Sequence, residues 1–183
     1  MLSSQDAGEI VNRALPLFYA NLRDDRLTPL LRGVWQADRQ SYPSLSWDLL
    51  TKPEVKLPFG RLWCQWLRYR GETGSEYVQV RTFALPYISD RSEILRAAAI
   101  SLIGSCGTME DLDFLKNAVL HDIDQNVAAA AVFAIYSLLG DKAKPILLEL
   151  KPATANSFVA GRIDAVLRMI NDPSSTQRSR STP

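Results

Sequence analysis

Apolar residues recur every 32 positions through the second half of this 183-residue chain, and that period restricts its fold more than any other feature. Leu95, Val127 and Val159 form one column; Ala99, Ala131 and Ile163 the next; then Ile103, Ile135 and Leu167; then Cys106, Leu138 and Ile170. Within each row the spacing is three to four residues, the rhythm of one helical face. A helical rhythm repeated in a fixed long period describes an array of similar helical units that share their cores with their neighbours.

The residues preceding these helices keep the same period. Asp90, Asp122 and Thr154 each offer a side-chain oxygen to the free amides of a first turn, and are the expected N-caps. Glu93 and Gln125 stand three residues further on and would complete capping boxes, while Ser157 fills that place in the third copy. A second helix is expected ahead of each capped one. Thr108-Met109-Glu110-Asp111 reads as a cap with an acidic first turn, followed by the face Leu112, Leu115 and Val119. Val80, Phe83 and Tyr87 hold the corresponding phase 32 residues earlier, and Leu147 follows Pro145 in the third copy. The expected units are helix, turn, helix over 76–107, 108–140 and 141–171, without convincing period-2 strands.

The first 73 residues are less regular. Ile10, Val11, Ala14, Leu15, Phe18 and Leu22 outline an amphipathic helix interrupted by Pro16. Residues 26–37 and 44–50 are shorter helical candidates, and Leu62, Trp63, Trp66 and Leu67 mark a helix before the Gly71–Gly74 break. Trp35, Trp47, Trp63 and Trp66 all lie here, so residues 1–73 read as an aromatic-rich helical cap or as degenerate repeats. Residues 74–171 hold the three helix pairs, and 172–183, poor in apolar side chains, are expected to be a disordered tail.

Composition narrows function by exclusion. Lys and Arg total 21 against 20 Asp and Glu, and the tail's Arg178 and Arg180, set against its Asp172, account for the surplus, so the general basic excess of a nucleic-acid binder is missing. The longest uncharged run, Gln125–Gly140, has 16 residues, short of the roughly 18–20 a membrane span requires. Cys64 and Cys106 cannot form a disulfide framework, which fits a cytoplasmic setting, and His121 is the single histidine. A Gly-rich phosphate loop, a nucleophile elbow and a Cys/His metal cluster are all lacking, so neither enzyme activity nor a metal or cofactor is expected.

Asp90 followed by Leu95-Arg96, Ala99, Ile100, Ile103-Gly104 and Gly107 resembles the HEAT-type repeat signature, and Asp122–Gly140 matches its apolar positions with Ala128 in place of the arginine. The resemblance covers about residues 76–171. It implies an all-α fold, a short α-solenoid of antiparallel helix pairs whose second helices line a concave surface for another macromolecule, and a pairing of Asp90 with Arg96 across the turn.

On that surface Phe133 and Tyr136 stand where neighbouring copies carry Ser101 and Ala165, and Gly104 and Arg168. The two aromatics either fill a groove between helices or anchor a partner. Arg61, Gln65 and Arg68 fall on the side of their helix opposite the tryptophans, a solvated basic face. The candidate protein-binding residues are therefore Arg61, Arg68, Arg96, Phe133, Tyr136 and Arg168. Another protein is the expected partner, in an adaptor, regulator or inhibitor role. Nucleic-acid binding, as in DNA glycosylases of similar architecture, and a bilin lyase-like activity are the alternatives.

Overall fold

A computed structural model describes residues 53–70 and 74–172; within the first stretch some side chains, Arg68 among them, lie outside the description. The helices expected over 10–22, 26–37 and 44–50, the tryptophans Trp35, Trp47 and Trp66, and the tail from 173 likewise fall outside it. The chain divides into compact units at 1–59 and 60–183. Every regular element among the described residues is helical.

The α-helices are α1 (Pro53–Arg70), α2 (Ser75–Ala84), α3 (Glu93–Cys106), α4 (Leu112–His121), α5 (Gln125–Leu139), α6 (Lys144–Ala153) and α7 (Ser157–Asn171). Helices α2 and α3, α4 and α5, and α6 and α7 pack as successive pairs, while α3 packs on α5 and α5 on α7. The starts of α3, α5 and α7 keep the 32-residue spacing. Nine of the twelve column residues are buried, including Ala99, Ile103, Val127, Ala131, Ile135 and Ile163 at 0% exposure. Leu95, Leu138 and Ile170, at the ends of their helices, stay partly exposed. Full burial of a Leu, Ile or Val is worth about 1.5–3 kcal/mol, so this shared apolar layer is the main term holding the pairs together.

Two expectations about helix ends are corrected. The N-caps are Ser92, Asp124 and Asn156, two residues beyond those expected. Asp124 Oδ1 accepts from the amides of Asn126 and Val127 at 2.8 and 3.1 Å, and Asn156 Oδ1 accepts from those of Phe158 and Val159 at 2.9 and 3.3 Å. Asp90, Asp122 and Thr154 instead accept from the amides of Ser92, Asp124 and Asn156, at 2.8, 2.9 and 3.3 Å. Each is a local turn that delivers the chain to its cap. Glu93 and Gln125 are consequently first helical residues and complete no capping box. Thr108 does cap as expected, and the Asp111 side chain accepts in return from the Thr108 amide at 2.8 Å.

The first helices do not all share the period. Residues 85–92 separate α2 from α3, whereas 122–124 and 154–156 suffice in the later pairs. Tyr87 thus lies beyond α2, in a 3₁₀ turn over Leu85–Tyr87. Pro86 explains the break, since it lacks an amide hydrogen and its ring collides with the preceding turn. Pro145 sits in the first turn of α6, where that loss is harmless.

Candidate functional site

Helix α5 is held on three sides, by α3, α4 and α7, and its fourth side faces solvent. Asn126, Ala130, Phe133 and Ser137 form the accessible stripe on that side, at the spacing of one helical face. The same register on α3 leaves Ile94, Ala98, Ser101 and Ser105 accessible, and on α7 it leaves Phe158, Arg162, Ala165 and Met169. The three stripes align column by column at the 32-residue period. Of their twelve side chains only Arg162 is charged, and its guanidinium carbon lies 4.8 Å from the centre of the Phe158 ring. The first helices differ: α4 and α6 expose Asp113, Lys144, Glu149 and Lys151.

The six candidate residues separate in this geometry. Phe133, 37% exposed, occupies the middle of the α5 stripe, with half-buried Tyr136 at its edge. Arg168 is exposed in the last turn of α7, and Arg61 is exposed on α1. Arg68 falls in α1 with its side chain outside the described residues.

Arg96 is buried. It is 9% exposed, and its Nε and Nη2 donate to the two carboxylate oxygens of Asp122 at 3.0 Å each. Its Nη1 donates to the carbonyls of Asp90 and Arg91 at 2.9 and 3.2 Å. The expected pairing with the Asp90 carboxylate is therefore replaced by one with the next unit's Asp122, and every guanidinium nitrogen already donates within the fold. Arg81, which sequence reasoning missed, makes a parallel link: Nε and Nη2 donate to Asp111 at 2.8 Å each. Both arginines are held above their usual basicity, foremost by these hydrogen bonds. Burial works to raise the Asp111 carboxyl, but the Arg81 hydrogen bonds and the Thr108 amide prevail and hold it below the usual carboxylate range.

Cys64 and Cys106 are buried, and the neighbouring Cys64 thiol together with desolvation pushes the Cys106 thiol far above its ordinary range, which suppresses the thiolate. Tyr77 donates to the Cys64 carbonyl at 2.9 Å, tying α2 to α1. No group of His, Cys, Asp and Glu suited to a metal ion occurs among the described residues. None of the described helices is long and apolar enough to cross a membrane.

Searches against protein-family models, curated proteins and solved structures find no match to this chain. Missed by sequence reasoning are the stripe residues beside Phe133, namely Ile94, Phe158, Arg162 and Met169. Part of their signal was available in the column alignment, because the columns directly before those of Leu95, Ala99 and Cys106 are accessible ones.

Proposed function

We propose that this chain is a non-enzymatic protein-binding module, a short HEAT-like solenoid that docks a macromolecular partner on the face formed by α3, α5 and α7, in the cytoplasm. One observation carries the reading. Three aligned, solvent-accessible stripes hold a single charge among twelve side chains, while the first helices α4 and α6 expose charges of both signs. Depletion of charge with an aromatic at the centre is the composition of a protein interface core. A duplex- or strand-binding groove requires phosphate-neutralising cations along its length, and here Arg162 stands alone within the stripes.

Two measurements test it. The purified chain is titrated against single- and double-stranded oligonucleotides at low salt, with no binding expected; tight binding that falls steeply with salt would reject the reading. In parallel, a protein co-purified from the native cell is produced separately and its affinity measured for the wild-type chain and for Phe133→Glu. A loss of at least about tenfold is expected for an interface anchor. Unchanged affinity would remove Phe133 and its face from the interaction.

A further inference from the structure

The two junctions between helix pairs are built differently. Where the first pair meets the second, α3 and α5 come so close at Gly104 that a Cβ there would lie 2.5 Å from the Ala134 Cα. The same junction carries both two-toothed ion pairs, Arg96 with Asp122 and Arg81 with Asp111.

One period later every one of these devices is replaced. Ala128 and Thr154 stand in the places of Arg96 and Asp122, and buried Ala143 in that of Asp111. Tyr136 and Val166 take the places of Gly104 and Ala134, and bulkier side chains hold two helices further apart. The α5–α7 contact is accordingly less extensive than the α3–α5 contact. Lys116 and Glu149 meet across this junction at 3.9 Å, with the Glu149 side chain 69% exposed. Exposed pairs of that kind contribute little. The polar links inside the third pair, Lys151 to Asp164 at 2.6 Å and Lys144 to Asn171 at 2.8 Å, are exposed as well.

We infer that the α5–α7 junction is a built-in hinge at which α7 shifts relative to α5. The motion changes the spacing between the α5 stripe, with Phe133, and the α7 stripe, with Arg162. It therefore sets the width of the open face whether or not that face binds a protein. Units of a repeat array are stabilised by their neighbours, so the junction with fewer interlocking contacts opens first.

The test compares spin-label distances in the full chain. One pair of labels is placed by Ala98→Cys with Ala130→Cys, the other by Ala130→Cys with Arg162→Cys. The native thiols, 0% and 4% exposed, stay unlabelled. A narrow distance distribution is expected for the first pair and a broader one for the second. A chain that also carries Ala128→Arg with Thr154→Asp moves the missing ion pair into the looser junction and is expected to narrow the second distribution. Equal widths in the ungrafted chain overturn the inference. So does a folded grafted chain that keeps the original breadth, since the breadth would then follow from end position alone. A graft that fails to fold leaves the comparison of the two widths as the deciding result.

Discussion

Arg96 fastens two successive helix pairs at one point, donating through Nη1 to the Asp90 carbonyl of its own turn and through Nε and Nη2 to the carboxylate of Asp122, 26 residues ahead. Both side chains are about nine-tenths buried. Removing one partner strands the other as an unpaired charge, so Arg96→Met is expected to cost about 3–5 kcal/mol. Arg81→Met is expected to cost less, about 1.5–3 kcal/mol, because the Arg81 side chain is 25% exposed and its stranded partner Asp111 keeps the bond from the Thr108 amide. Urea unfolding monitored by circular dichroism gives both values. Equal, negligible losses would show that the ion pairs do not hold the junction.

Acid acts on the same junction. The Asp111 carboxyl ordinarily titrates at 3.8 and is depressed in the fold. Between those two values the unfolded chain binds more protons than the folded one, so stability rises with pH there. The contribution of Asp111 is complete above 3.8 and is lost as pH falls through the depressed value. Asp111→Asn is expected to flatten the dependence of stability on pH below about 4. Parallel acid profiles for the two chains would contradict this.

Two glycines in comparable helices are expected to respond in opposite directions. Gly104→Ala drives a methyl into the Ala134 backbone and is expected to destabilise by about 1–3 kcal/mol. Gly161→Ala on α7 meets nothing within 4 Å and is expected to stabilise by about 0.5–1 kcal/mol through helix propensity. Thermal unfolding of the two variants decides it, and a harmless Gly104→Ala would mean that α3 and α5 are not in close contact there.

Capping supplies a further check on register. Asp124→Ala and Asn156→Ala are each expected to cost about 1 kcal/mol, since each removes an acceptor shared by two first-turn amides. Thr154→Ala, which removes a bond to a single turn amide, is expected to cost less. The reverse order would restore Thr154 as the cap.

The phase of α3, α5 and α7 was legible because apolar spacing and period agree on it, and Val127, Val159 and Ile163 are buried as that phase requires. The caps were misplaced by two residues for a definite reason. Residues 90 and 92, like 122 and 124, and 154 and 156, all carry oxygen, and residue type alone does not reveal which makes the turn and which the cap. The longer connector after α2 was hidden because Val80 and Phe83 happen to fit the period although their helix does not. The ion pairs were illegible because Arg81 and Asp111 lie 30 residues apart and meet only when two units stack. Arg96, an arginine in a column that otherwise holds Ala128 and Ala160, looked like an exposed side chain for the same reason.

Binding measured against a defined protein partner, with Ala130→Glu and Phe133→Glu on the open face and Asp113→Lys on the first-helix side, tests the central claim most directly. The account expects both glutamate variants to weaken binding by at least about tenfold while Asp113→Lys and the circular dichroism spectra stay unchanged. Loss of binding with Asp113→Lys, and none with the two glutamates, would place the docking surface on the opposite side of the helix pairs and contradict it.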